Sequence, residues 1–148
     1  MPPPLLHIMY RVTVFLIILF PFPALASAFC FEQAGADYGV SPGLLWSIAK
    51  VESGFAPQAV NWNQNGTYDY GLMQINSGWA GRLGASAWQS LGDPCTNVKA
   101  GAWILAQCAQ RYGYTWEAVG CYNFSDERKR QEYARKVYAV FKRYFRRH

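Results

Sequence analysis

Histidine is nearly absent from this chain. Of its two copies, His7 lies close to the amino terminus and His148 is the last residue. A Ser-His-Asp triad, a Cys-His dyad and a His-ligated metal centre all need imidazole at the site. The sequence therefore excludes these mechanisms within the folded part, and any enzymatic proton transfer falls to carboxylates. Neither a metal nor a cofactor is expected.

A membrane-length apolar run is lacking as well. The apolar stretch at residues 12–20 is well short of the ~20 residues that a spanning helix needs. It follows Arg11 and ends at Pro21, and the small residues Ala26-Ser27-Ala28 then form a cleavage signal. We predict an export signal over residues 1–28 and a mature domain over residues 29–148. The expected location is periplasmic, with membrane contact only through the signal.

Cysteines are few, and the C-x-x-C spacing of many zinc sites is missing. All four lie in the predicted mature part, and an even number in an exported protein favours two disulfides. Three pairings are possible. We favour Cys30–Cys95, which ties the start of the domain to its middle, with Cys108–Cys121, which joins a helix to the segment after it.

Positive charge is scarce over residues 29–127, which hold four Lys and Arg against eight Asp and Glu, a net of −4. Residues 128–148 hold nine against one, a net of +8. Apolar residues repeat there at helical spacing: Tyr133, Val137, Val140, Phe141 and Tyr144. We favour an amphipathic closing helix packed on the domain, with attraction to anionic envelope polymers or lipid headgroups as the alternative. Nucleic acid binding is not expected.

Helical patterns dominate the mature part. We predict helices over residues 30–38, 41–55, 93–112 and 115–122, before the closing basic helix. The polar residues 61–70 carry a hairpin turn signal at Asn65-Gly66. The expected fold class is mainly α, in a single compact helical domain with a small hairpin or loop region beside a cleft.

Glu52 is the most informative side chain because it lies on or beside the apolar stripe of a predicted helix. That stripe is formed by Leu44, Leu45, Ile48, Val51 and Phe55. Burial raises the pKa of a carboxyl group, and an acid still protonated near neutral pH is what a general acid needs. The pattern alone is equally consistent with a boundary Glu whose carboxylate reaches solvent.

Three stretches of the chain, taken in order, resemble a known family: Glu52-Ser53-Gly54-Phe55, Gly71-Leu72-Met73-Gln74-Ile75-Asn76 and Cys121-Tyr122-Asn123. Together they resemble the soluble-type lytic transglycosylase domain of the lysozyme-like superfamily, over nearly the whole mature chain. The cysteine at its start, residues 93–95 and residues 101–105 are most similar to one branch. Its members are small exported enzymes that accompany conjugation, specialised secretion and pilus machinery.

The resemblance implies an α+β lysozyme-like fold and cleavage of the β-1,4 bond between N-acetylmuramic acid and N-acetylglucosamine in peptidoglycan. Glu52 would protonate the glycosidic oxygen and then act as base on the muramic acid 6-hydroxyl, closing a 1,6-anhydro ring. A single acid then suffices, whereas glycosidases with two catalytic carboxylates need a second. The implied partners are glycan strands and components of a secretion, conjugation or pilus complex, for which the wall would be opened locally.

The resemblance also assigns six substrate-binding residues: Ser53, Gly71, Gln74, Asn76, Tyr122 and Asn123. Residues 71–76 are named the Gln motif here. Its two amide side chains, Gln74 and Asn76, would hydrogen-bond the sugar, and Gly71 would let backbone approach the glycan. Tyr122 and Asn123 would orient Glu52 or the sugar. Ser53 would help position the N-acetyl group, or would merely follow the helix turn.

Two other functions stay open. A hydrolytic lysozyme of the same fold needs a second carboxylate, for which Asp69 is the nearest candidate in sequence. A non-catalytic peptidoglycan-binding assembly factor is the other, although the intact Glu52 argues against it. The aromatic residues Trp62, Tyr68 and Trp79 would stack on sugar faces, with simple burial as the alternative.

Overall fold

The computed structural model describes residues 29–145, so the predicted export signal at residues 1–28 lies outside the described part. Within residues 29–145 the chain forms seven α-helices, one 3₁₀ turn and one three-stranded sheet. In chain order they are α1 (Phe31–Tyr38), α2 (Pro42–Glu52), β1 (Val60–Trp62), β2 (Tyr68–Tyr70), β3 (Ile75–Asn76), the 3₁₀ turn (Ser77–Trp79), α3 (Ala80–Leu83), α4 (Ala85–Gln89), α5 (Pro94–Tyr112), α6 (Trp116–Cys121) and α7 (Glu127–Phe145). The predicted mainly helical class is confirmed.

Helix α2 carries Glu52 at its carboxyl end. Ser41 caps its start by accepting a hydrogen bond from the Leu44 backbone N–H, and the side chains of Leu45 and Ile48 are fully buried. The helix ends at Glu52 and not at Phe55 as predicted. The reason is local: Gly54 has φ 61° and Phe55 has φ 72°, a left-handed conformation that cannot continue the helix. Glu52 is therefore the last residue of the helix.

Helix α5 runs through the centre of the fold, with α1 and α6 packed against it. Asp93 caps it by accepting a hydrogen bond from the Thr96 N–H at 2.7 Å, and Gly113 follows its last residue, as predicted. Its inner face is small and apolar, except for the fully buried amide of Asn97. This polar group in the core ties α5 to the sheet region, as described below.

The two disulfides have the favoured pairing. Cys30–Cys95 joins the residue before α1 to the first turn of α5, and Cys108–Cys121 joins α5 to the last residue of α6. Crosslinks of this kind stabilise a small domain by roughly 2–4 kcal/mol. The second one also fixes the start of the segment that contributes to the cleft.

Helix α7 packs on the domain, as the helical spacing of apolar residues within 128–148 predicted. Tyr133 and Val137 are buried in the core, and the helix contacts α2 and α6. The contact with α6 is close enough to need glycine, because a Cβ at Gly120 would lie 2.5 Å from the Arg130 carbonyl oxygen. None of the helices within residues 29–145 has the length and apolar character to cross a membrane.

The sheet is small and antiparallel, in the order β1-β2-β3. Its register places Asn61 opposite Asp69, and Asp69 opposite Asn76, so three polar residues face one another across the strands. The predicted hairpin is present, closed by a hydrogen bond from the Asn63 N–H to the Thr67 carbonyl oxygen at 2.8 Å. The short helices α3 and α4 were not predicted, because four or five residues are too few to show helical periodicity.

Candidate active site

A polar cleft of ≈ 540 Å³ contains Glu52. One side is formed by the sheet and the Gln motif, and the other by residues 121–125 together with parts of α5 and α7. A second hollow of ≈ 530 Å³ lies between α6 and α7, but its lining is mostly apolar and includes no residue of the three family motifs. We therefore place the candidate site in the cleft of Glu52.

Glu52 is held by two donors from the helical side of the cleft. Its Oε1 accepts a hydrogen bond from the Asn123 side-chain amide at 3.0 Å and another from the Tyr133 hydroxyl. Burial raises the pKa of Glu52 to about 7, the charge of Asp69 adds to this rise, and the two hydrogen bonds oppose it. The carboxyl group is thus close to half protonated at neutral pH, which suits a group that must both give and take a proton.

Tyr133 is the residue that sequence reasoning missed. It was assigned only to the apolar stripe of α7, and it is indeed 4% exposed, but its hydroxyl reaches Glu52 across 81 positions of sequence. Burial and the nearby Glu52 raise the pKa of its phenol well above the usual value, so it stays a hydrogen-bond donor. A usable signal existed, since a buried tyrosine hydroxyl normally needs a polar partner.

Asp69 is the second carboxylate of the cleft. Its Oδ1 accepts from the Asn76 amide at 2.7 Å, and its Oδ2 accepts from the Asn63 amide at 2.9 Å. The Asn76 amide also donates to the Thr67 hydroxyl, and its carbonyl oxygen accepts from the Gly78 N–H. A hydrogen bond from Asn76 to a sugar would therefore compete with the bonds that its side chain already makes to Asp69, Thr67 and Gly78.

Gln74 lines the cleft but is 9% exposed. Its side-chain amide donates to the carbonyl oxygens of Gly71 and Ala59, at 2.8 and 3.2 Å, and its carbonyl oxygen accepts from Asn61. These bonds hold the Gln motif against β1. The side chain expected to bind sugar thus has a structural task, and only a small part of it faces the cleft.

At position 71 the structure requires glycine for a reason that the sequence did not indicate. Gly71 does not line the cleft; its φ is 80°, and a Cβ there would lie 2.2 Å from the buried Asn97 amide nitrogen. Asn97 in turn accepts from the Met73 N–H at 2.8 Å and donates to the carbonyl oxygens of Tyr70 and Leu91. Glycine is needed here because its φ is positive and because α5 approaches the Gln motif closely.

Ser53 and Tyr122 both form hydrogen bonds to the backbone of the Gln motif. The Ser53 hydroxyl donates to the Leu72 carbonyl oxygen at 2.8 Å, and the buried Tyr122 hydroxyl donates to the Met73 carbonyl oxygen at 2.8 Å. Tyr122 reaches the cleft wall, whereas Ser53 does not. Of the six predicted binding residues, Asn123 is the one that contacts Glu52.

The aromatic candidates separate in the structure. Trp79 lines the cleft and packs edge-on against Trp103, with ring centroids 5.7 Å apart. Trp62 is 74% exposed and packs against Tyr68 on the other face of the sheet, outside the cleft lining. Of the three aromatic candidates, only Trp79 lines the cleft that contains Glu52. Within residues 29–145, no cluster of three or more His, Cys, Asp or Glu is suited to a metal ion.

The sequence profile of the Transglycosylase SLT domain matches residues 29–144. The chain belongs to this family. Protein IpgF of Shigella flexneri is 39% identical over 137 residues, which cover 90% of each chain. Invasion protein IagB of Salmonella typhimurium (strain SL1344) is 42% identical over 125 residues, covering 80% of this chain and 78% of that one. The resemblance inferred from the three motifs is confirmed.

A solved structure shows the same fold. An inactive Glu-to-Gln mutant of the lytic transglycosylase Slt from Pseudomonas aeruginosa aligns with a TM-score of 0.62 at 20% sequence identity. The alignment covers 81% of this chain and 24% of the much longer Slt chain. Family membership thus comes from the sequence, and the lysozyme-like architecture from both comparisons.

Proposed function

We propose that this protein is a peptidoglycan lytic transglycosylase in which Glu52 alone serves as acid and base. The observation that carries the proposal is the state of its carboxyl group. Burial raises its pKa to about 7, and two donors hold it in a polar cleft. Membership of the SLT family supplies the substrate class, the glycan of the bacterial wall.

The first step breaks the glycosidic bond. Protonated Glu52 donates its proton to the oxygen between N-acetylmuramic acid and N-acetylglucosamine, and the bond from this oxygen to muramic acid C1 breaks. The carbonyl oxygen of the muramic acid N-acetyl group attacks C1 and forms an oxazolinium ring. As Glu52 becomes a carboxylate, Tyr133 and Asn123 stabilise its new charge through the bonds that they already make.

The second step closes the anhydro ring. The Glu52 carboxylate takes the proton of the muramic acid 6-hydroxyl, O6 attacks C1, and the oxazolinium ring opens to restore the N-acetyl group. No water is consumed, and the proton returns to Glu52. Burial favours the acid form and the two hydrogen bonds favour the carboxylate, so a pKa of about 7 serves both steps.

A hydrolytic lysozyme is the second candidate because Asp69 lies in the same cleft. Its carboxylate would activate water or stabilise the sugar cation, as the second acid of a glycosidase does. Against this reading, Asn76 and Asn63 already hold both of its oxygens within the sheet. We therefore assign Asp69 to the shape and charge of the cleft rather than to the chemistry.

The proposed cellular role is based on the predicted export signal and on the relatives. We place the mature protein in the periplasm, after cleavage of the signal at residues 1–28. One relative carries the name invasion protein, which supports a task in building an apparatus that crosses the envelope. Local opening of the wall would let a secretion, conjugation or pilus complex pass, and its components are the proposed protein partners.

Product analysis tests the reaction. The purified protein is incubated with peptidoglycan sacculi, and the soluble fragments are analysed by mass spectrometry before and after borohydride reduction. Anhydro ends weigh one water less than reducing ends and do not react with borohydride. We expect anhydromuramyl ends almost exclusively. Mainly reducing ends would establish the lysozyme alternative, and release of no fragments would favour the non-catalytic binder.

A further inference from the structure

The cleft is divided in charge. Its carboxylates are Glu52, at the end of α2, and Asp69, on β2. Its two cations, Arg111 on α5 and Arg130 on α7, lie beside Tyr112, and Arg130 also bonds to Ser125. No described residue of the lining other than these two carries a positive charge. The proposed reaction uses the carboxyl group of Glu52 and gives no role to Arg111 or Arg130.

Arg130 is built into this end of the cleft. Its Nε donates to Glu117 at 2.6 Å, its Nη1 donates to the Ser125 carbonyl oxygen, and its side chain is 14% exposed. The guanidinium lies 5.3 Å from the centroid of the Tyr112 ring. Within residues 29–145 these bonds use Nε and Nη1, so Nη2 remains for a ligand. The group is therefore oriented before any ligand binds.

Arg111 lies on the last turn of α5 and contacts the same ring, 5.2 Å from its centroid. Both guanidinium groups contact the Tyr112 ring and both residues line the cleft, so they belong to the same end of it. Glu117 balances one of the two charges, and neither ion pair found within residues 29–145 involves Arg111. Arg111 thus presents to the cleft a positive charge that no ion pair within residues 29–145 compensates, with planar donors that match a carboxylate.

The chemistry of the substrate says what such a charge would meet. The glycan backbone is neutral where the muramic acid lactyl group is amide-linked to its stem peptide, and sugar hydroxyls need no excess positive charge. Free carboxylates lie on the stem peptide, which starts on the muramic acid whose bond is cleaved. The pKa of Glu52 is set by burial, its two donors and Asp69, so the arginines are not needed to tune the acid.

We propose that Arg111 and Arg130 form a subsite that binds a free carboxylate of the peptidoglycan stem peptide. This inference rests on the proposed function and adds to it a preference for peptide-bearing, unamidated glycan. The subsite holds the muramic acid side of the substrate in register with Glu52. Arg130 supplies a fixed donor, and the exposed Arg111 closes on the carboxylate from the solvent side.

The test compares three forms of one glycan preparation. The first has native stem peptides, and the second has its peptide carboxylates amidated chemically. The third is stripped of peptides by an amidase and is then amidated at the lactyl carboxylates that the amidase frees. Wild-type protein and Arg111→Gln are assayed on each. Arg143→Gln is the matched control, because Arg143 also lies near a neighbouring tyrosine ring, at 5.6 Å from Tyr144, but outside the cleft lining. The measured quantity is the ratio of kcat/KM on native strands to that on amidated strands.

We expect wild-type protein and the Arg143→Gln control to prefer native strands by about tenfold, the scale of a charge-assisted hydrogen bond. Arg111→Gln should lose most of this preference, and Arg111→Lys should restore part of it because lysine keeps the charge but not the fork. Stripped strands should behave like amidated ones.

Three results would overturn the subsite: a wild-type protein that treats native and amidated strands alike, an Arg111→Gln ratio equal to wild type, or an equal loss on all three substrates. The last would show that Arg111 acts through packing. If wild-type protein cleaves none of the three substrates, the proposed function itself fails, and the subsite fails with it. Cleavage of all three with no preference leaves the function intact and removes only the subsite.

Discussion

The two walls of the cleft differ in what their polar side chains bind. On the helical wall, which comprises the end of α2, residues 121–125 and α7, Asn123 and Tyr133 both donate to Glu52. On the sheet wall, which comprises the three strands and the Gln motif, the amides bind one another, Asp69 and the backbone. The polar side chains of the helical wall thus act on Glu52, whereas the polar groups of the sheet wall are paired with one another.

This difference suggests that the helical wall serves the reaction and that the sheet wall maintains the structure of the cleft. The helical wall sets how tightly one carboxyl group holds its proton, because burial and two donors push the pKa of Glu52 in opposite directions. The sheet wall is held by hydrogen bonds within the protein, and because a satisfied network is rigid we expect its shape to change little when a sugar binds. We expect substitutions on the helical wall to change pH profiles, and those on the sheet wall to change mainly affinity and stability.

The largest effect should come from Glu52→Gln on the helical wall. The substitution keeps the shape of the side chain but removes the titrating proton, so release of fragments from sacculi should fall by at least ~100-fold, the usual scale for a general acid. Glu32→Gln on the exposed face of α1 is the matched control and should stay at wild-type rates. A folded Glu52→Gln protein with near-wild-type activity would exclude the single-acid mechanism.

The same variant should change how stability depends on pH. The folded-state pKa of Glu52 is about 7 and its reference value is 4.5, so the fold favours the protonated form, and stability is lost as pH rises between these values. At 1.36 kcal/mol per pKa unit, the loss is about 3 kcal/mol. Glu52→Gln lacks this loss.

Denaturant unfolding at pH 4 and pH 8, with the disulfides intact, measures this difference. Glu52→Gln should gain stability relative to wild type by about 3 kcal/mol between the two pH values. The Glu32→Gln control should show no such gain. If the two Gln variants behave alike, Glu52 is not held in an environment that disfavours its charge, and the contrast between the two walls disappears.

Tyr133→Phe should have the next largest effect. It removes the hydroxyl that stabilises the Glu52 carboxylate, so the cleavage rate should fall about tenfold. The pKa of Glu52 should rise further, because a hydrogen bond to the charged form is lost. Since the first step needs the protonated acid, the alkaline fall in activity should move to higher pH.

Rates measured from pH 5 to pH 9 test this shift, with Tyr144→Phe as the control on the same helix. Tyr144 packs against Trp46 and is 48% exposed, so its hydroxyl can be removed without disturbing the cleft. An unmoved alkaline limb in Tyr133→Phe would mean that the helical wall orients Glu52 without setting its proton affinity.

Local signals in the sequence predicted most of the framework. The cap at Ser41, the Asp93-Pro94 start of α5 and the glycine after its end each depend on a few neighbouring residues, and each is present in the structure. The carboxyl end of α2 was placed three residues too late, because Gly54 and Phe55 both adopt positive φ. A glycine is a local signal for such an end, but no local pattern predicts that conformation at Phe55.

The site was less predictable because it depends on distant contacts. The family motifs led to Glu52 and Asn123, which bond to each other across 71 positions. They also led to Gly71 and Gln74, whose contacts are with the protein itself. Tyr133 lies outside every motif, and its periodicity correctly placed it in the core while hiding the use of its hydroxyl. Packing was readable from spacing, but the partner of a buried polar group was not.

Asp69→Asn should have the smallest effect and gives the sharpest test of the sheet wall. If Asp69 only shapes the cleft, the variant should keep at least about a tenth of wild-type activity, with the loss arising because the amides of Asn76 and Asn63 lose their charged acceptor. The negative charge of Asp69 is the least of the four influences on the pKa of Glu52, and it raises that pKa. Its removal should therefore move the alkaline limb slightly to lower pH, opposite to the shift in Tyr133→Phe.

The control is Asp37→Asn, because Asp37 also has hydrogen-bonded oxygens, to Gln33 and Lys99, but lies on α1 outside the cleft lining. Rates on sacculi and the pH profile are measured for both variants. A loss of at least ~100-fold in Asp69→Asn alone, together with reducing ends among the wild-type products, would make Asp69 a second catalytic carboxylate. Chemistry would then belong to both walls. A small loss with the predicted downward shift would leave the helical wall as the sole source of proton transfer, because the sheet wall would then affect Glu52 only through its charge.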